Sequence, residues 1–145
     1  MLFNYQEHIQ KAQEFLMEVA VELGMPDDHA HAGRVLAAVL HGLRDVITPQ
    51  ESLHLISQLP LYIQGVYVHG WHIPEKPKRL KTLNDFLMNI KEQARLTAGR
   101  DFGDIDNTQK EVEAVFRVIA RHVSEGEIKD VKAQLPEEIA NLIEV

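Results

Sequence analysis

The sequence predicts an all-α protein, on three observations. Apolar residues recur at steps of three and four through most of the chain. Helix-starting residues stand immediately before those runs, twice as a capping box. No alternating apolar–polar run bounded by turns reads as a strand. The expected architecture is a compact bundle of about eight helices in one domain spanning residues 1–145.

From Tyr5 to Leu23, Ile9, Ala12, Leu16, Val19 and Leu23 form one helical stripe, with Phe15 alongside. Gly24 is a C-cap candidate and Pro26 follows it. Asp27 or Asp28 can cap the next helix, which carries Val35, Leu36, Val39, Leu40, Leu43, Val46 and Ile47. Thr48-Pro49-Gln50-Glu51 is a capping box with proline at the first helical position. Its threonine should accept from the amide three residues on, and Glu51 should reach back to the Thr48 amide. A short helix to about Gln58 follows, and Pro60 opens another with Ile63, Val66 and Tyr67. His69 to Lys81 holds a glycine, two prolines and a basic run, and reads as a loop. Leu83, Phe86, Leu87 and Ile90 mark a helix to about Leu96. Ala98 to Thr108 reads as a long loop, after which Asn107 or Thr108 can cap a helix carrying Val112, Val115, Phe116, Ile119 and Val123. Ser124-Glu125-Gly126-Glu127 repeats the capping-box chemistry, and Pro136 opens the last helix.

The chain is similar to itself. Residues 14–19 align with 85–90 at an offset of 71, and Gln58-Leu59-Pro60 aligns with Gln134-Leu135-Pro136 at an offset of 76. Both capping boxes then coincide, Thr48 with Ser124 and Glu51 with Glu127. The second copy carries a net insertion of five residues, which fits in the Ala98–Thr108 loop. The expectation is two pseudo-symmetric four-helix repeats, 5–68 and 82–145, joined by a linker over 69–81. Neither copy could close a core alone, so the two should pack on each other.

Composition narrows the function. The 145 residues include no cysteine, so disulfides, thiolate metal sites and a cysteine nucleophile are excluded. The formal charge of −7 argues against general nucleic-acid binding, which needs a basic face. No run is long and apolar enough for a membrane span, and the opening MLFNYQEHIQKAQEF lacks the pattern of a secretory signal. A bacterial-type cytoplasm is the expected location. Eight histidines add a pH dimension, since protonating all of them would carry the formal charge from −7 to +1. That would suit an acid-stress role.

Several blocks resemble a known family. Val39-Leu40-His41-Gly42-Leu43-Arg44-Asp45, then Gln58-Leu59-Pro60, then Gly70-Trp71 ahead of Pro74, are similar to the bacterial family DUF2267. Asp130-Val131-Lys132-Ala133-Gln134-Leu135-Pro136 resembles it too, so the likeness runs from about Phe15 to the end. What the resemblance implies is an α-helical bacterial protein of a family without an assigned activity, from which no catalytic residues carry over.

Four groups of residues could carry chemistry. His41, Arg44 and Asp45 are neighbours on one helix face, as a ligand-binding or proton-moving His–Asp pair or as a plain polar cluster. Asp27 and His31, four apart, could supply two ligands of a divalent metal, with others from His69, His72 or the Asp101–Asp106 region; alternatively the aspartates only cap a helix. Trp71, the single tryptophan, is either a partner anchor or a staple for the linker. Lys76, Lys78, Arg79 and Lys81 could meet an anion or stay solvated. Asp101, Asp104 and Asp106 lack the order of a calcium-binding loop. No hydrolase, phosphate-loop or dinucleotide motif is present. The expected function is therefore a non-catalytic helical interaction module without a cofactor, binding a protein partner or its own copy. The alternative is a small-ligand or divalent-metal binder using a cleft between the repeats.

Overall fold

Helix punctuation in the sequence becomes hydrogen bonding in the computed structural model, which describes residues 3–144. Asn4 accepts from the Glu7 amide and starts α1, Tyr5–Glu22. Asp28 accepts from the His31 amide and starts α2, His29–Arg44. Thr48, ahead of Pro49, starts α3, Pro49–Ile56; α4, Leu61–Val68, follows Pro60. Thr82 caps α5, Leu83–Gln93. Beyond a 3-10 turn at Arg95–Thr97 come α6, Ala98–Phe102, and α7, Ile105–His122. Ser124 caps α8, Glu125–Ala133, and Pro136 precedes α9, Glu137–Ala140. No strand occurs among the described residues, and the class is all-α. Among the described residues no helix is long and apolar enough to cross a membrane.

The connection from α5 to α7 departs from expectation. Helix α5 stops at Gln93 rather than near Leu96, and Arg95 has a φ of 52°, which breaks a right-handed helix. The segment expected to be a loop from Ala98 to Thr108 is largely helical. Five residues of helix are not stable by themselves. Here burial holds them, because Phe102 is fully buried and Asp101 nearly so. Gly103, at a φ of 64°, turns the chain into α7. Asp104 caps α7 by accepting from the Asn107 amide, in place of the expected Asn107 or Thr108. The side chains of Asn107 and Thr108 instead donate to the Phe102 carbonyl.

Helix α2 is central, packed by α1, α4, α5, α6 and α7. Its Val35, Val39 and Leu40 are fully buried, together with Phe15, Phe86, Ile90 and Val115 from its neighbours. At Gly42 the α5 backbone comes close. A Cβ there would stand 2.4 Å from Ile90 Cγ1 and 3.4 Å from Ile90 Cα. Gly42→Ala gains helix propensity of about 1 kcal/mol. The overpacking against a fully buried isoleucine costs about 1–3 kcal/mol. A net loss is expected in urea denaturation, and a net gain would show that α2 and α5 separate freely.

The packing is reciprocal. α1 lies on α7 as α5 lies on α2, and α3 meets α8. Gln134 Oε1 accepts from the Thr48 amide at 2.8 Å, and Gln58 Oε1 accepts from the Ser124 amide at 2.6 Å. Each capping box was expected to close on itself. Only its hydroxyl half does so, Thr48 accepting from the Glu51 amide and Ser124 from the Glu127 amide. The other half is made by a glutamine from the opposite half of the chain, which leaves Glu51 and Glu127 facing each other. Burial pushes the Glu127 carboxyl up to about 8, reinforced by a hydrogen bond and negative charge from Glu51.

Candidate functional site

A polar cleft of about 460 Å³ opens where the ends of α1 and α2 meet α6 and α7. The Asp28 cap places His31 in the first turn of α2, facing inward, with a side chain only 6 % exposed. Its Nδ1 lies 2.9 Å from Asp101 Oδ1. Arg34, one turn on, reaches the same carboxylate with Nε at 2.8 Å and Nη2 at 3.0 Å. Burial alone would raise the pKa of Asp101. Hydrogen bonds from Arg34, His31 and Thr97 outweigh it and hold the carboxyl well below its usual range. An ionised Asp101 requires Nδ1 to donate, which aims Nε2 at Glu111. That nitrogen is 3.3 Å from Glu111 Oε1 but outside hydrogen-bonding geometry. Glu111 Oε2 is also buried without a partner. Burial pushes the Glu111 carboxyl up to about 7, against the opposing pull of His31 and Asn107.

The cluster on the second half of α2 does different work. His41 Nε2 contacts the Val66 carbonyl at 2.7 Å. Arg44 Nη1 donates to the carbonyls of Tyr67 at 2.6 Å and His69 at 2.8 Å. Asp45 accepts from Asn89 and Gln93 on α5. His41 and Asp45 therefore serve separate partners and make no His–Asp pair. Burial lowers the pKa of His41, so it charges later on acidification than an exposed histidine. Trp71 is half-buried, edge-on to Tyr67 at 5.8 Å, with the Arg44 guanidinium 5.9 Å from its ring centre. It sits as a staple for the linker. The basic run lines a separate groove of about 620 Å³, where Lys78 donates to Asn89.

A family model described as an uncharacterized conserved protein, DUF2267, matches residues 12–142. The chain belongs to the DUF2267 family. No curated protein matches it.

In this DUF2267 protein the cleft joins residues from distant parts of the chain. His31 was legible as a candidate, but with Asp27, which is exposed while Asp28 makes the cap. Asp101 stood out only within an acidic run, and lies 70 residues from its partner. Glu111 went unseen. It belongs to the polar pattern of α7, and nothing local separates it from Glu113.

The raised pKa of Glu111 gives the DUF2267 chain a pH signature. The folded state holds this proton more tightly than the unfolded state does. The associated stability is complete below the ordinary value of 4.5 and is lost as pH rises through about 7. Glu111→Gln imitates the protonated form. Relative to that variant, the wild type should lose on the order of 2 kcal/mol between about pH 5 and pH 8. Urea titrations at both pH values would measure it, and parallel changes in the two proteins would exclude an effect of Glu111.

Proposed function

We propose that this DUF2267 protein is a non-catalytic binding protein that holds a small polar molecule in the cleft beside His31 and Glu111. One observation carries the reading. His31 Nε2 and Glu111 Oε2 are buried polar atoms without a hydrogen-bond partner, at the wall of a cleft of about 460 Å³. Buried polar groups in folded proteins nearly always have partners. A ligand carrying a donor and an acceptor would complete both. Arg100, exposed on the same cleft, favours a ligand that also bears a carboxylate or phosphate.

Thermal-shift measurements with carboxylic acids, amino acids and phosphomonoesters would test this. One class should raise the melting temperature of the wild type, and Arg100→Ala should abolish that rise. No response to any class would overturn the reading.

The interaction module expected from the sequence is the second reading, favoured by an apolar groove of about 380 Å³. Ile9, Ala12, Leu16, Leu36, Tyr62 and Val66 of α1, α2 and α4 line it. The apolar face of an amphipathic helix is its natural occupant. Sedimentation equilibrium would show whether that helix belongs to a second copy, with Tyr62→Lys reducing any self-association. Trp71 lies outside this groove.

Both readings treat the chain as a duplicated unit, 5–68 and 82–145 around the 69–81 linker. The reciprocal bonds from Gln58 to Ser124 and from Gln134 to Thr48 support that. The cysteine-free composition suits a cytoplasmic setting.

A further inference from the structure

The meeting of α3 and α8 brings together side chains that neither the cleft nor the groove uses. Glu51 and His54 are three residues apart on α3 and share a helix face. Glu127 and Asp130 have the same spacing on α8, and an offset of 76 carries the first pair onto the second. One ligand atom each from Glu51, His54 and Glu127 lies within 4.8 Å of the others.

The two glutamates are buried, Glu51 at 8 % and Glu127 at 7 % exposure. Each has an Oε2 atom, out of contact with solvent, with no hydrogen-bond partner beyond the facing glutamate. A glutamate in the first turn of a helix ordinarily satisfies itself on the N-cap amide. Here Gln134 and Gln58 occupy those amides, so both carboxylates are released from that task. Gln134 Nε2 reaches Glu51 Oε1 only at 3.5 Å. Among the described residues, no lysine or arginine pairs with either glutamate, and the His54 imidazole lies with Nδ1 3.9 Å from Glu51 Oε2. Two carboxyl groups in contact at a buried place share a proton or hold a cation between them.

We propose that the contact between α3 and α8 is a divalent-cation site, with Glu51, His54 and Glu127 as ligands and water completing the set. One imidazole with carboxylates is a donor set for zinc or manganese. Calcium and magnesium prefer shells of oxygen alone. The His54 side chain is 57 % exposed, so an ion can enter from its side. Bound there, the ion would clamp one half of the chain to the other through equivalent helices. This site is separate from the His31 cleft, and neither depends on the other.

Calorimetric titration of chelator-treated protein with zinc chloride and manganese chloride tests the assignment, with magnesium chloride for comparison. Zinc or manganese should bind at one ion per chain and raise the melting temperature. His54→Ala, at an exposed position that leaves the fold intact, should weaken binding by about tenfold or more. Glu127→Gln should abolish binding while leaving the metal-free protein at least as stable, because it removes one of two opposed carboxyls. Absence of binding to the wild type would overturn the site. Unaltered affinity in both variants would overturn it too, by placing the ion elsewhere.

Discussion

Asp101→Ala is expected to cost about 3–5 kcal/mol of stability, because it leaves charged and polar partners without their counter-group. Asp101 is 1 % exposed and receives Arg34 through two nitrogens and His31 through Nδ1. Alanine at this position would strand the buried imidazole beside Glu111 and detach α6 from α2. Asp101→Asn, which keeps the shape and loses the charge, should cost less. The pH dependence has a definite sign. A depressed carboxyl contributes stability that is present above its ordinary value of 3.8 and disappears as pH falls through the folded value, far below. The gap between wild type and Asp101→Asn should therefore stay constant from neutral pH down to about pH 4. Urea denaturation across that range would measure it. A gap already closing near neutrality would mean that Asp101 is not held ionised by Arg34 and His31.

Arg44→Ala should cost about 2–4 kcal/mol, because it removes two charge-assisted hydrogen bonds from a buried position. Arg44 is 9 % exposed, and its Nη1 serves the carbonyls at the end of α4 and the start of the linker. Its loss would leave the Tyr67 and His69 carbonyls without that donor and remove a cation–π contact with Trp71. The tyrosine itself should stay anchored, since its hydroxyl lies 2.6 Å from Ser52 Oγ. The linker should loosen first. The single tryptophan makes that readable, as a shift of its emission to longer wavelength at denaturant concentrations where helicity is still complete. Coincident loss of both signals at wild-type stability would show that the linker is held without Arg44.

The placement of these residues marks how far the sequence could be read. Helix caps at Asp28, offered beside Asp27, and at Thr48 and Ser124 were legible because a cap is a local event, a side chain meeting an amide three residues on. The stripes of α1, α2 and α7 were legible because burial of one helix face imposes its period on the residues. Helix α6 was not, since its five residues carry no period and owe their shape to the burial of Phe102 and Asp101. His31 could be singled out by its chemistry, but its partners could not. Asp101 and Glu111 approach it only when α6 and α7 close over α2. Glu51 was assigned its usual capping task, and Gln134, 83 residues away, took that task over.

The sequence by itself determined an all-α chain, the starts of most helices and the residues of the core. These follow from interactions within one or two helical turns and from the period of burial. It also carried the family likeness, which the match over residues 12–142 bears out. Only the tertiary structure decided which polar groups meet. The His31–Asp101–Glu111 cleft and the Glu51–Glu127 contact each join residues about 70–80 positions apart. Electrostatic and hydrogen-bonding partnership depends on distances of a few ångströms between side chains, and separation along the chain does not encode those distances.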